Sequence, residues 1–485
     1  MKTTKTRRSF IADVMKYSCA PTALSLPITS LLSPSTAYAQ NSDDFRALVY
    51  IFLVGGNDSF NMLVPQGEGA LRDRYDTGRK NIALNPESLN ELRVSTPAKI
   101  YGGETYKAFG MHPQFTELSA MFNDGELAVL CNLGNLMEPT TRQSFLDKSV
   151  ALPPQLFSHS DQQRQFQSEP TTQFESGWGG RVSEMLLSQN TDINVSPLIS
   201  VSGLNPFQVS QSPYLDTFVM SNQGLVKLRG FNKHRSNMVD AYMYEYQEHL
   251  MAQKYQDIYI SAKEARDVIV DAFSIANDSG VDYDSIFSAH NANGTDLGKQ
   301  LKTVAKMIAG RSTYGNKRPI FFVKINGFDT HKNILSEQNT LLKQVNDGLR
   351  AFRDVLVQQG DFNKVLSFVG SEFARTFTPN SDGSSAGTDH AWGGNALVMG
   401  GMVKGASFYG TYPDLKIGGE LDADKNKARG RWIPTSSTSQ CSAVIAHWMG
   451  VPRENLNQVF PSIDNFIDPF SPEANLGFIR EEVLS

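Results

Sequence analysis

Residues 46–61 read RALVYIFLVGGNDSFN. The apolar run from Ala47 to Val54 is unbroken and stops at Gly55-Gly56. A strand with one wet face alternates apolar and polar side chains. An unbroken run means that both faces are covered, which is typical of a parallel sheet between helical layers. The polar group Asn57-Asp58-Ser59 follows at the strand's carboxyl end, where open parallel sheets carry their functional groups.

The rest of the chain repeats the pattern. Further strands are expected at Glu126–Leu133, Pro197–Val201, 318–325 (RPIFFVKI), Lys364–Val369 and Ala396–Met399. A helix is expected over Pro113–Phe122 and another over Cys441–Met449, before Gly450. The clearest helix carries Leu342, Val345, Leu349, Phe352 and Leu356 as one apolar stripe spaced 3-4-3-4, with Gly360 as its stop. Strands alternating with helices predict an α/β fold with a mostly parallel sheet flanked by helices. Residues of about 236–276 turn strongly helical and polar, with Tyr242, Tyr244, Tyr246, Tyr255 and Tyr259, and the region of about 205–310 reads as a helical insertion or lid.

Polar residues gather at three strand ends and in one loop: around Asp58; in NGFDTH with Asp329 and His331; in GSEFART with Glu372 and Arg375; and in GTDHAWGG with Asp389 and His390. Asp58, Asp329, His331, Glu372, Asp389 and His390 are the residue types that bind a divalent cation: zinc, calcium, manganese or magnesium. Each aspartate alone reads equally as a turn or helix-cap residue; the signal is their convergence. His112 and His447 read as core histidines, and His234, His249 and His290 as solvent-facing ones. The Ser158-His159 pair is no triad by itself, because adjacent side chains seldom face each other. Gly55-Gly56 lacks the spacing of a nucleotide loop.

The N-terminus reads Thr-Arg-Arg-Ser-Phe-Ile at 6–11, followed by a weakly apolar segment and Ala37-Tyr38-Ala39 before Gln40. This is the order of a twin-arginine export signal, so residues 1–39 are expected to be a cleaved leader and the product periplasmic or extracellular. The export translocon is then one partner. Residues 40–485 form the expected domain, with no stable membrane span. The leader takes five of the 45 basic residues and one of the 50 acidic ones, leaving 40 and 49 and a net charge of −9. That balance argues against a nucleic-acid partner. Cys131 and Cys441 are too few for a disulfide framework; Cys131 reads as a small buried hydrophobe, and pairing between the two stays open.

The stretches VYIFLVGGNDSFNMLVP (49–65), FGMHPQFTELSAMFNDGELAVLCNLGN (109–135), GWGGR (177–181), GFDTH (327–331), SFVGSEFARTFTPN (367–380) and GTDHAWGGNALVMGGMVKGASFYG (387–410) resemble the exported DUF1501 family. That family is similar in turn to the alkaline phosphatase and sulfatase superfamily. The resemblance implies an alkaline-phosphatase-like fold with one or two divalent ions at strand ends, acting on phosphate or sulfate esters of small molecules or glycans. It implies Asp58 as the first-strand aspartate and Asp329-His331 as the aspartate-histidine pair. The late pair has two registers. Asp389-His390 fills it in one. In the other, preferred because the late pair follows its strand directly, Glu372 replaces the aspartate and His390 is the final single histidine. Residue 373 is then Phe where the superfamily pattern has histidine, so one metal site loses a nitrogen ligand. Ser158 in LFSHSDQQ (156–163) corresponds to the nucleophile, with Ser160 in reserve, and Arg375 is placed to contact an ester oxygen. The alternative is a non-catalytic exported binding or scaffold protein that keeps the fold.

Overall fold

The structure, a computed structural model, describes residues 44–169, 174–190, 195–222, 233–245 and 249–484. The expected leader lies outside the described residues. Its sheet of eleven strands is built on β1 (Ala47–Val54), β2 (Leu127–Gly134), β3 (Leu198–Ser200), β4 (Ile320–Asn326), β5 (Val365–Gly370), β6 (Gly394–Met399) and β7 (Phe408–Tyr412). Across the sheet the order is β7-β2-β6-β5-β1-β4-β3. β1 runs parallel to β4 on one side and to β5 on the other. Only β6 of these seven runs antiparallel, between β5 and β2.

The central place of β1 explains its unbroken apolar run. Leu48, Tyr50 and Phe52 enter the core on one face, and Val49, Ile51 and Leu53 the core on the other. None of these six is more than 2% exposed. Full burial of one such side chain contributes about 1.5–3 kcal/mol, so neither face tolerates a polar residue. In register with Tyr50 lie Phe322 and Phe368, and its ring stacks on Phe207 at 4.4 Å between centroids.

Helices cover both faces. Those that bear on the site or the sheet are α1 (Thr116–Asn123), α2 (His159–Gln167), α3 (Asp296–Ala309), α4 (Ile334–Gln359) and α5 (Thr438–Met449). α4 is the crossover from β4 to β5. All five of its stripe residues are buried, and Gly360 closes it in the left-handed conformation at φ 75°. α5 opens with a capping box between Ser437 and Gln440 and ends at Gly450, φ 117°.

The helical region near 205–310 is not wholly set apart from the sheet. α3 lies against β4 and α4, and its Leu297, Leu301, Val304 and Ile308 are fully buried. Its amphipathic stripe makes it part of the sheet's cover. Upstream, Tyr242, Tyr244 and Tyr255 are more than half exposed. Cys131 and Cys441 are buried and unpaired, in the cores on opposite faces of the sheet. No helix among the described residues is long and apolar enough to cross a membrane.

Candidate metal centre

The carboxyl ends of β1, β4 and β5 lie side by side, and two glycines let them touch. Gly55 has φ 120°, and a Cβ there would sit 2.3 Å from the Asp329 amide nitrogen. A Cβ on Gly56, φ 82°, would sit 2.4 Å from the Phe373 ring. Any side chain at either position would push the β4 and β5 ends away.

Around Asp329 Oδ1 stand three imidazoles. His331 Nε2 is 3.0 Å away, and His159 Nε2 and His390 Nε2 are each 3.4 Å away. His331 Nε2 and His390 Nε2 are themselves 3.0 Å apart. The other ring nitrogen of each histidine meets an acceptor: His159 Nδ1 at 3.0 Å from Glu372 Oε1, His331 Nδ1 at 3.0 Å from Asp389 Oδ1, and His390 Nδ1 at 2.8 Å from the Phe157 carbonyl. Each of these acceptors takes a proton from Nδ1, so the rings when neutral present three Nε2 lone pairs inward. Three nitrogen lone pairs and a carboxylate oxygen repel one another unless a cation or an extra proton lies among them. His159 Nε2 is buried without a hydrogen-bond partner. Acceptors on the outer nitrogens are how proteins hold metal-binding histidines.

Local structure explains each position. His159 is the first residue of α2, two residues after Phe157, whose φ of 71° is unusual outside glycine. That backbone aims the Phe157 carbonyl at His390; strain of this kind collects at functional sites. Glu372 is 1% exposed, and its Oε1 accepts from the Gly55 amide at 2.8 Å and from Gln163 at 3.0 Å as well as from His159. Its hydrogen bond holds the His159 pKa above the ordinary value against the opposing effect of burial. Burial lowers the His390 pKa. Burial alone would raise the Asp329 carboxyl, but the Arg375 hydrogen bond and charge outweigh it and hold it low. The centre is open: side-chain exposure is 46% for Asp329 and 43% for His331, against 28% for His159 and 24% for His390.

Three expected ligands, Asp329, His331 and His390, converge here. Glu372 and Asp389 stand one step back, each holding a histidine. Asp58 turns elsewhere: it is 2% exposed and ion-paired with the wholly buried Arg79. Arg375 is also wholly buried, its guanidinium committed to Asp329 at 2.8 Å, the Gly55 carbonyl and Thr388. That leaves it no face for an ester oxygen; its contacts make it the holder of Asp329. Ser158 does sit at a helix N-terminus, but its hydroxyl donates to Asp161 at 2.6 Å, within the same helix turn. Ser160 is exposed.

His159 is the site residue that sequence reasoning missed. Phe373 lies against the rings of His159 and His390, with centroids 4.9 and 5.0 Å away. The third imidazole comes from the start of α2, 170 residues before Asp329 in the chain. The one local signal was His159 beside a helix start. Outside the centre, His112 is buried and accepts from the Gln114 amide, and burial lowers its pKa to about 4. His447 is only half-buried. His290 pairs with Asp354 at 2.9 Å rather than facing solvent.

A profile of the family described as "Protein of unknown function (DUF1501)" matches residues 46–425. The chain belongs to the DUF1501 family. No curated protein matches this DUF1501 chain. Among solved structures it is similar to Ps i-CgsB in complex with k-i-k-neocarrahexaose, at 9% identity and a TM-score of 0.28, over 76% of this chain and 69% of that one. It is also similar to a mutant of alkaline phosphatase PafA, at 10% identity and a TM-score of 0.25, over 68% of this chain and 63% of that one. At these values neither bears on the site.

Proposed function

We propose that this chain is an exported metal-dependent hydrolase acting on phosphate or sulfate esters, those of envelope glycans included. The observation that carries the reading is the convergence of three histidine Nε2 atoms on Asp329 Oδ1, each ring anchored through its other nitrogen. The donor set fits a cation. Three imidazoles and one carboxylate favour zinc or a similar borderline ion over calcium or magnesium, which prefer oxygen throughout. His159, His390 and Asp329, whose donor atoms all lie within 4.8 Å of one another, would hold it, with His331 Nε2 beside them at 3.0 Å from Asp329 Oδ1, and its chemistry there would be Lewis acidity toward an ester oxygen and an attacking water.

The protein's own groups prepare that chemistry. Glu372, Asp389 and the Phe157 carbonyl keep the histidine protons on Nδ1. Arg375 keeps Asp329 ionised. With His159, Asp329 and His390 as ligands, a fourth zinc position is left for water or substrate, as a catalytic site requires and a closed structural zinc site does not. Ser158 is bonded to Asp161, so a water is the proposed nucleophile. The leader supports export through the twin-arginine translocon to the periplasm or beyond. Arg7→Lys together with Arg8→Lys should retain the precursor inside the cell, as read by fractionation; unaltered export would remove that part.

The test is metal content by mass spectrometry after zinc reconstitution, followed by turnover of nitrophenyl phosphate and nitrophenyl sulfate. Bound zinc with turnover abolished in His390→Ala is the expected result. A wild-type protein that takes up no metal would overturn the reading. The internal commitments of Ser158 and Arg375 favour a second reading, a non-catalytic binding protein. Zinc that raises the melting temperature without turnover of either ester would select it.

A further inference from the structure

The loop 418–431 is organised by one buried carboxylate. Asp422 is 0% exposed. Its Oδ2 accepts from the amides of Gly418 at 2.9 Å and Gly430 at 3.0 Å, and its Oδ1 from the amide of Asp424 at 3.1 Å. Outside the loop, Arg142 donates to the carbonyls of Asp422 at 2.8 Å and Asp424 at 2.9 Å. The far limb is tied to the β5 end, where the amides of Phe377 and Thr378 donate to the carbonyls of Gly430 and Arg429. A surface loop fixed at so many points holds its side chains in place.

Two of those side chains reach the histidines indirectly. Arg429 Nη1 donates to Asp389 Oδ2, whose other oxygen takes His331 Nδ1. Arg431 Nε donates to the His390 carbonyl at 2.8 Å, and its Nη1 is anchored on Asp424 at 2.8 Å. Its guanidinium carbon also lies 5.0 Å from the centroid of the Phe157 ring. Phe157 is the residue whose carbonyl takes His390 Nδ1. The third histidine, His159, has its own buried carboxylate, Glu372.

We propose that the loop 418–431 is a positioning element of the centre, in which Arg429 orients His331 through Asp389 and Arg431 orients His390 through its backbone and Phe157. The proposal rests on the metal reading above. Neither arginine falls within the family match, which ends at residue 425. Arg429 does more than fill space: it neutralises Asp389 on the side away from His331, so the carboxylate keeps one oxygen for the ring. Outer partners of this kind set metal affinity by roughly 10–100-fold.

The test uses the full chain, zinc in competition with a chelator, and cobalt(II) as a spectroscopic probe. Arg429→Met should lower zinc affinity about 10–100-fold and alter the cobalt absorption bands, and Arg429→Lys should recover part of both. Arg431→Met should do the same through His390, and it stands in if Arg429→Met does not fold. Arg181→Met, which removes donors to the carbonyls of Ser168, Ser176 and Val459, should lower the melting temperature with the zinc affinity intact. Wild-type zinc affinity and cobalt bands in both loop variants would overturn the proposal while leaving the metal reading standing. A wild type that binds neither ion removes both.

Discussion

Asp58 and Asp329 follow neighbouring parallel strands, β1 and β4, at matching ends, yet they have opposite fates. Asp58 is sealed at 2% exposure against Arg79, which is itself wholly buried. Asp329 is also paired to a buried arginine, Arg375, but its side chain stays 46% exposed and three imidazoles gather on the same oxygen. The residue type and its place on the sheet are shared. What differs is the local environment: a guanidinium without histidines makes Asp58 a strut, whereas histidines at the solvent edge make Asp329 part of the candidate metal centre.

The largest effect that would sharpen this contrast lies at the strut. Arg79→Met leaves the Asp58 charge buried without its partner, and breaking such a pair costs about 3–5 kcal/mol. Denaturant unfolding should show that loss, while zinc per folded molecule stays at the wild-type value. Lost zinc at full stability would reverse the roles of the two aspartates. At the ligand end, His159→Ala should lower zinc affinity by more than about 100-fold, beyond what outer partners contribute. With zinc chelated, its stability should fall by only about 1 kcal/mol, since the side chain is partly exposed. A smaller change is expected from Glu372→Gln. The amide can still accept from Gly55 but holds the His159 ring less firmly, so affinity should fall about 10–100-fold. An unchanged affinity would mean that the buried carboxylate serves only the β1 turn.

The same contrast marks what could be read from the sequence. The unbroken run of β1, the 3-4-3-4 stripe of α4 and the glycine at its end were legible because periodicity and capping are local. So was the clustering of polar residues at strand ends, since a parallel sheet places them there whatever their partners. The division of labour among them was not. Asp58 meets Arg79 across 21 residues, and His159 meets Glu372 across 213. His331, two residues on, marks Asp329 in the chain, but nothing near Asp58 shows that its carboxylate turns inward to Arg79. Nor does anything near Arg375 reveal that its guanidinium turns inward, because burial of that kind is decided by the packing of β1, β5 and the loop at 387–390. His159 escaped notice for the same reason: beside Ser158 it reads as a polar helix start, and only the fold carries it to Asp329.

The smallest expected effect concerns Ser158, which belongs with Asp58 among the inward-turned groups. Its hydroxyl donates to Asp161 Oδ2 at 2.6 Å, and Asp161 Oδ1 accepts from Arg164 at 2.9 Å. This is a local network in the first turns of α2. Removing it should cost about 1 kcal/mol, the net worth of one such bond. If water is the nucleophile, Ser158→Ala keeps ester turnover within about twofold of wild type, because the three histidines and Asp329 are untouched. A nucleophilic serine predicts the opposite: loss of turnover with stability and zinc content preserved, and in the wild type a burst of nitrophenol before the steady state. Pre-steady-state turnover of nitrophenyl phosphate by both proteins therefore decides whether the helix start at 158–159 contributes one functional side chain or two.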